Sequence, residues 1–140
     1  MKQLSLLEAA YHLKKTPIFC SLELDLLLPI ADKMIYTEID AEEIIFDIGQ
    51  QAYNLYLLTE GSLTVTNVDE IELAKLQQGE VFGEEAIFSE KTREYRVTTN
   101  TAAKLLYLSR ADLLAIIYEY PSVATGFLEV YASATPFRPR

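Results

Sequence analysis

The spacing of apolar residues predicts helices at both ends of the chain. Up to residue 34, apolar side chains recur at intervals of three and four, the spacing of one helix face. This pattern predicts one helix over residues 3–15 and a second that begins at a Ser21 cap and runs to Met34. The side chains expected to face inward are Leu6, Ala9, Ala10 and Leu13 in the first helix, and Leu24, Leu27, Leu28 and Ala31 in the second.

Helical spacing returns after residue 109. Ser109 can cap a helix over residues 110–120, and Pro121 opens a last helix that runs to Ala134. The expected apolar stripes are Ala111, Leu114, Ile117 and Tyr118, followed in the last helix by Val123, Phe127, Val130 and Tyr131.

Between residues 35 and 109 the pattern is one of short strands separated by turn residues. Leu63 and Val65 alternate with threonines, as in a strand with one buried face. Such strands with regular turns indicate a mainly β fold: a jelly-roll-like β-roll (double-stranded β-helix) of about eight short antiparallel strands with flanking N- and C-terminal helices. The expected strands cover residues 36–39, 44–46, 55–59, 62–67, 71–76, 95–101 and 104–108, with one more ending before Gly83.

Composition limits what such a domain can do. Half of the 140 residues are apolar, and no stretch approaches the roughly 18 apolar residues of a membrane span. The net charge of −9, from 12 basic and 21 acidic residues, argues against DNA contact by this chain and against binding to anionic membranes. We expect a single domain over residues 1–140, with helices over about 3–34, a β-roll over about 35–109 and C-terminal helices over about 110–134.

Neither a catalytic set nor a metal site is expected. Cys20 is the only cysteine, so it cannot form an internal disulfide, and this fits a reducing, cytoplasmic location. We expect Cys20 to be a small buried side chain. His12 is the only histidine, whereas metal-dependent enzymes of jelly-roll-like fold need several. The sequence therefore predicts a binding protein rather than an enzyme, with no metal and no resident cofactor.

Candidate chemistry is concentrated between Gly79 and Phe88, with Arg93 shortly after. A strand ends at Gly83 and opens into a helical turn, whose first amides, from Glu85 to Ile87, favour an anion. Arg93 adds a cation with a planar fork of donors that suits phosphate, and the Glu84 carboxylate can accept a hydrogen bond from a sugar hydroxyl. This set suits a phosphorylated sugar. The alternative is a β-turn with a surface salt bridge between Glu84 and Arg93.

The same stretch resembles the phosphate-binding cassette of the cyclic nucleotide-binding domain family. That family includes the catabolite activator proteins, the regulatory subunits of cAMP-dependent kinase and cyclic-nucleotide-gated channels. Its pattern of Phe-Gly-Glu-x-Ala-Leu, a short spacer and an arginine is matched by residues 82–87 and Arg93. Glycine turns at Phe46–Gly49 and Leu55–Gly61 also fit, so the resemblance covers roughly residues 10–125.

The resemblance implies a regulatory domain that binds cAMP or cGMP and repositions its C-terminal helices for a protein partner. Arg93 would neutralise the cyclic phosphate, Glu84 would accept the ribose 2′-hydroxyl, and the backbone from Gly83 to Ala86 would cradle the phosphate oxygens. The last helix either covers the base or simply packs on the roll. Which nucleotide binds, the identity of the partner and homodimer formation stay open. The implied ligand-binding residues are Phe82, Gly83, Glu84, Glu85, Ala86, Arg93, Tyr95 and Arg96.

The sequence departs from the family pattern around the arginine. Thr92 replaces the usual proline, Tyr95 and Arg96 replace small or hydroxyl residues, and Glu85 replaces an apolar residue. Tyr95 either fills the pocket or turns its ring outward, so that Arg96 contacts the phosphate or base. If the pocket is filled, the alternative function is a ligand-independent protein-interaction or oligomerisation module. Because Arg93 falls in a predicted loop, its removal is expected to leave the fold intact.

Overall fold

The computed structural model describes residues 4–85 and 91–133, with side chains described as far as residue 129 of the last helix. Two helices precede a set of eight strands, and two more helices follow it within these ranges. The elements are α1 (Leu6–Lys14), α2 (Leu24–Lys33), β1 (Ile35–Ile39), β2 (Ile44–Phe46), β3 (Asn54–Glu60), β4 (Leu63–Thr66), β5 (Glu72–Leu76), β6 (Val81–Phe82), β7 (Arg96–Thr99), β8 (Ala103–Ser109), α3 (Arg110–Glu119) and α4 (Ser122–Ser133).

The strands form two four-stranded antiparallel sheets, in the orders β1-β8-β3-β6 and β2-β7-β4-β5. The predicted mainly β, jelly-roll-like fold with flanking helices is therefore confirmed, and the strand ends differ from the predicted ones by at most two residues. The alternation of Leu63 and Val65 with threonines is also confirmed, because both apolar side chains are buried and both threonines are half-buried.

Two apolar cores lie on opposite sides of the sheet that contains β3 and β8. Leu57 pairs with Leu106, and both face the helices, where they pack with residues of α1, α2, α3 and α4. The adjacent pair, Leu58 and Leu105, faces the other sheet and packs in the second core between the sheets. This division follows from the two-residue period of a strand, which sends neighbouring side chains to opposite faces.

The N-terminal helices agree with the predictions in their number but not in all details. Helix α1 begins at Leu6, where Ser5 and Glu8 form a capping box. Helix α2 begins only at Leu24, so the expected Ser21 cap is wrong. The cause lies upstream, where the buried Thr16 hydroxyl donates to Leu13 O at 2.7 Å and accepts from Phe19 N at 3.2 Å, and holds the following residues in turns.

Inward-facing positions of the helices were predicted less well than their limits. Leu24 is 54% exposed because it lies at the first turn of α2, whereas Leu27 and Ala31 are buried as expected. In α3 the Ser109 cap is confirmed by a hydrogen bond from Asp112 N at 3.0 Å. The predicted α3 stripe is largely wrong: Leu113 and Ile116 are the buried residues, and of the predicted four only Ile117 packs against the core, whereas Leu114 and Tyr118 are exposed. Helix α3 carries apolar side chains around most of its circumference, so its sequence does not show which face is buried.

Helix α4 packs against the helical layer through Val123 and Phe127. Both are buried, and the ring of Phe127 meets that of Phe19 edge-on at a centroid distance of 5.4 Å. The side chains of Val130 and Tyr131, together with Ala134, lie outside the described part of the chain. The last helix was expected either to cover the base or simply to pack, and its described side chains show packing.

Three further findings concern expectations based on composition. Cys20 is exposed, so its predicted burial is wrong; it follows Phe19, whose side chain takes the inward position. Within the described ranges, no helix has the length and apolar character needed to cross a membrane. The same residues contain no cluster of three or more His, Cys, Asp or Glu side chains suited to a metal ion.

Candidate functional site

The predicted cassette begins where β6 ends beside β3. Tyr56 of β3 is paired with Phe82, and their rings are stacked at a centroid distance of 5.1 Å. At Gly83 the chain turns with a φ of +75°, which favours glycine. A Cβ atom there would lie 3.0 Å from Nη1 of Arg93 and 3.2 Å from the Tyr56 ring. The turn therefore brings the cassette backbone directly onto the Arg93 guanidinium.

Arg93 is a buried cation that the fold holds from several sides. It is 3% exposed and donates from Nη1 to Gly83 O at 3.0 Å and from Nη2 to Asn54 O at 2.6 Å. Its guanidinium carbon lies 4.0 Å above the centroid of the Phe46 ring, a cation–π contact. The residue does lie between strands, as predicted, but its removal would leave two carbonyls without this donor. Arg93 is therefore part of the buried structure rather than of an exposed loop, and the expectation that its removal leaves the fold intact stays a prediction.

The carboxylate nearest to Arg93 belongs to Glu85. Its Oε1 accepts hydrogen bonds from Arg93 Nη1 at 3.1 Å and from the Tyr95 hydroxyl at 2.6 Å. The surface salt bridge that the sequence suggested between Glu84 and Arg93 is wrong on two counts: in the described part of the chain Arg93 forms its ion pair with Glu85, and the arginine is buried.

Glu84 lies next to this pair with a different environment. Its Oε2 atom is buried and has no hydrogen-bond partner among the described residues. Burial is the main reason that the pKa of the Glu84 carboxyl is raised, and the nearby negative charge of Glu85 adds to the effect. A buried acceptor without a donor is unfavourable, so this oxygen is suited to accept a hydrogen bond from a hydroxyl group of a ligand.

Tyr95 points into the roll rather than away from it. Its ring packs edge-on against Phe46 at a centroid distance of 5.4 Å, and it borders the core between the sheets. Burial and the hydrogen bond to Glu85 both raise the pKa of the Tyr95 hydroxyl, which therefore stays protonated and donates. The outward rotation proposed for an adapted pocket is wrong, because the Glu85 carboxylate and the Phe46 ring hold the side chain inside.

Arg96, the second cation of the prediction, is paired with other residues. Its Nε and Nη2 atoms donate to the two carboxylate oxygens of Asp47 at 2.9 and 3.2 Å, and Nη1 lies 3.8 Å from Glu70. The hydrogen bond from Arg96 lowers the pKa of Asp47. The structure therefore places Arg96 at the rim between β2 and β7, and among the described residues its side chain pairs with Asp47 and Glu70 rather than with the Arg93 cluster.

The remaining predicted residues separate into two groups. Phe82 is buried in the core between the sheets, where it supports the site from below. Ala86, whose amide was expected to contribute to the anion cradle, lies outside the described residues, as do Ile87 and Phe88. The structure thus brings together Gly83, Glu84, Glu85, Arg93 and Tyr95.

Two residues that contact the Arg93 guanidinium were not predicted as site residues. Phe46 lies in the Phe46–Gly49 turn that fits the family pattern, so its position was available as a signal, although its contact with the cation was not. Asn54 contributes only its backbone oxygen. Any residue type provides that atom, so the sequence carries no signal for it.

Comparison with known proteins agrees with the family that the sequence resembles. Residues 36–120 match the family model described as cyclic nucleotide-binding domain. The cyclic AMP receptor protein of Thermus thermophilus is 32% identical over 127 residues, covering 86% of this chain and 57% of the relative. The chain spans between 30% and 57% of the length of the curated relatives that it matches first.

Solved structures show the same fold. The N-terminal domain of a transcriptional regulator from Streptomyces coelicolor A3(2) has a TM-score of 0.77 and 29% identity, with 86% of this chain and 87% of that chain covered. The regulatory domain of Toxoplasma gondii PKA, co-crystallised with cAMP, has a TM-score of 0.80 and 24% identity, with 93% and 50% covered.

Proposed function

Because the chain belongs to the cyclic nucleotide-binding domain family, we propose that it is a sensor that binds cAMP or cGMP at this cassette and thereby regulates a protein partner. The observation that carries the proposal is that a hydrogen-bond donor with positive charge and an acceptor with no donor in the described part of the chain lie next to each other at one site. A buried guanidinium, that of Arg93, lies beside a buried carboxylate oxygen of Glu84 that has no partner among the described residues.

A cyclic nucleotide carries a partner for each of these groups, a hydrogen-bond donor for the carboxylate and an anion for the guanidinium. The ribose 2′-hydroxyl is a donor that would satisfy Glu84 Oε2, and the cyclic phosphate is an anion that Arg93 can bind with its planar donors. The relative named cyclic AMP receptor protein and the PKA domain co-crystallised with cAMP support this choice of ligand.

Signal output requires that binding favours one arrangement of the C-terminal helices. Helix α4 is anchored by the contact between Phe127 and Phe19 and by Gly126, where a Cβ atom would lie 2.8 Å from Ile18 O. Repositioning α4 would break these contacts, so the nucleotide must bind more tightly to the arrangement in which the helix has moved.

A second candidate function is favoured by a specific contact. Arg93 is already paired with the Glu85 carboxylate, and the Tyr95 hydroxyl holds that carboxylate in place. A domain whose cation is satisfied internally could act as a ligand-independent interaction module. The choice between the two functions depends on whether a phosphate can replace Glu85 at Arg93.

Calorimetry with a series of ligands tests the proposed function without altering the protein. We expect cAMP or cGMP to bind with a dissociation constant in the micromolar range, about −8 kcal/mol. The 2′-deoxy form of the same nucleotide should bind at least about tenfold more weakly, because a hydrogen bond to a charged group is worth roughly 1.5–3 kcal/mol. 5′-AMP serves as the control for the cyclic phosphate and should bind more weakly still.

The thermal midpoint provides an independent readout, since a ligand that binds only the folded state raises it. If neither cAMP nor cGMP at millimolar concentration produces heat or a thermal shift, nucleotide sensing by this chain is ruled out and the ligand-independent function takes its place. Equal affinities for cAMP and its 2′-deoxy form would instead reject the role given to Glu84.

A further inference from the structure

The Glu85 carboxylate contacts Arg93 in the way that a bound anionic ligand would. The guanidinium side chain is 2% exposed, whereas the Glu85 side chain that reaches it is 45% exposed. One carboxylate oxygen receives both the arginine donor at 3.1 Å and the tyrosine hydroxyl at 2.6 Å. The carboxylate thus enters the site from the solvent side and is held there by a second donor.

A cyclic phosphate that approaches the buried Arg93 guanidinium from the solvent side meets the Nη1 donor that Glu85 now uses. Nη2 of Arg93 is engaged by Asn54 O, and Nη1 is shared between Gly83 O and the Glu85 carboxylate. The two carbonyls belong to the backbone of the roll and cannot withdraw independently, whereas the carboxylate is carried on a half-exposed side chain. Glu85 is therefore the partner of Arg93 that an incoming anion can displace.

Tyr95 determines how readily the carboxylate leaves. Its ring is fixed against Phe46, so its hydroxyl is a preorganised donor directed at the same oxygen that binds Arg93. These two residues occupy positions where the family pattern has an apolar and a small residue, as the sequence showed. The chain therefore contains both an internal anion and the group that positions it.

Resting on the proposed function of this site, we propose that Glu85 is an affinity-setting residue: an internal carboxylate, positioned by Tyr95, that competes with the cyclic phosphate for Arg93. Nucleotide then binds by exchanging one anion for another at the arginine, and no covalent step is involved. The sensor is consequently tuned to higher nucleotide concentrations than a cassette with an apolar residue at position 85 would be.

A competitor and a structural support make opposite predictions for the same substitution. If Glu85 only stabilised the site, its loss would lower both thermal stability and nucleotide affinity. If it competes, its loss lowers thermal stability, because an ion pair with a buried partner disappears, but raises affinity, because Arg93 is released. The combination of the two measurements therefore identifies the role.

The test is calorimetry with cAMP and with cGMP on Glu85→Gln, Tyr95→Phe and Glu94→Gln, each accompanied by a melting curve. We expect Glu85→Gln to bind at least about tenfold more tightly than the original chain, and Tyr95→Phe about threefold more tightly. Glu94 has the same charge, is exposed and adjoins Arg93 in sequence, so Glu94→Gln controls for the charge change and should stay within about twofold. Glu85→Leu provides a second variant should the glutamine amide keep the contact.

The outcomes separate this proposal from the function on which it rests. If the original chain binds nucleotide and the Glu85 variants bind equally or less tightly, the competition is refuted and the sensor function stands. An equal gain for Glu94→Gln would refute it as well, because bulk charge would then explain the effect. If only the Glu85 variants bind, competition is supported and the original chain is not a sensor. Failure of all variants with both nucleotides rejects both proposals.

Discussion

At the scale of single residues, Glu84 is a group whose ionisation the folded structure opposes. Its pKa is raised by burial, so the folded chain binds the Glu84 proton more tightly than the unfolded chain does. The stabilisation that comes from this proton is complete below the unfolded pKa and is lost as the pH rises through the folded pKa. The contribution of Glu84 to the free energy of unfolding is therefore smaller at neutral pH than in acid.

Replacement of Glu84 by the neutral isostere should therefore stabilise the chain at neutral pH. We expect Glu84→Gln to raise the thermal midpoint at pH 7, and the gain to shrink as the pH is lowered and the original carboxyl takes up its proton. Melting curves between pH 5 and 8 measure this. A loss of stability at pH 7, or a gain that grows on acidification, would show that Glu84 is favourably placed as an anion.

Asp47 provides a comparison of opposite sign. Its pKa is lowered, mainly by the hydrogen bond from Arg96, so its stabilising effect is present above the unfolded pKa and is lost as the pH falls through the folded value. Asp47→Asn should accordingly lower the thermal midpoint at pH 7, and the difference from the original chain should decrease in acid.

The sequence identified Arg93 and its neighbourhood but not the carboxylate that pairs with it. Glu84 and Glu85 are adjacent and chemically alike, and a sequence gives no reason to prefer the second. The choice depends on the turn at Gly83, whose φ of +75° directs one side chain into the roll and the other over the guanidinium. Burial of Arg93 was missed for a related reason. Charged residues are seldom buried unless they are paired, and the sequence does not show which groups pair with Arg93.

At the scale of elements, the connection between β3 and β4 depends on a close approach that only the fold makes visible. Gly61 has a φ of +111°, and a Cβ atom there would lie 2.8 Å from Ala102 O and 2.9 Å from Ala103 Cα, at the start of β8. The neighbouring atoms are backbone and cannot move away easily. The sequence predicted a glycine turn here, but the reason for the glycine is tertiary.

Gly61→Ala should destabilise the chain by a clash in addition to backbone strain. Gly49 is the matched control: its φ is +86°, and a Cβ atom there would meet nothing within 4 Å. Strain alone costs roughly 1–2 kcal/mol, and overpacking adds a further 1–3 kcal/mol. We therefore expect urea denaturation to show a loss for Gly61→Ala that exceeds that for Gly49→Ala by at least about 1 kcal/mol. Equal losses for the two variants would contradict the close approach at β8.

The elements also show where local patterns lose their predictive value. The Ser109 cap was predicted correctly, because a cap depends on a few consecutive residues. The buried face of α3 was not, because a helix that is apolar almost all round is oriented by its contacts with α2 and β8. Likewise, the late start of α2 depends on the Thr16 hydroxyl, whose two hydrogen bonds favour turns over an earlier helix.

At the scale of the whole molecule, the β-roll joins the site to the helices through one sheet. Strand β3 carries Tyr56 and the Asn54 carbonyl of the site, and its Leu55 and Leu57 pack in the core beneath the helices. A change at the cassette therefore has a short physical route to α3 and α4. The mainly β fold was predictable because glycine turns and strand periods agree along most of the chain, whereas the internal ion pair is specific to this sequence.

The most direct test of the central claim is a crystal structure of this chain grown with saturating cAMP. The account predicts the nucleotide in the cassette, with the Arg93 guanidinium within about 2.7–2.9 Å of a phosphate oxygen, Glu84 accepting the 2′-hydroxyl and the Glu85 carboxylate displaced from the arginine. A structure in which Arg93 keeps Glu85 as its partner while cAMP lies elsewhere, or is absent, would contradict it.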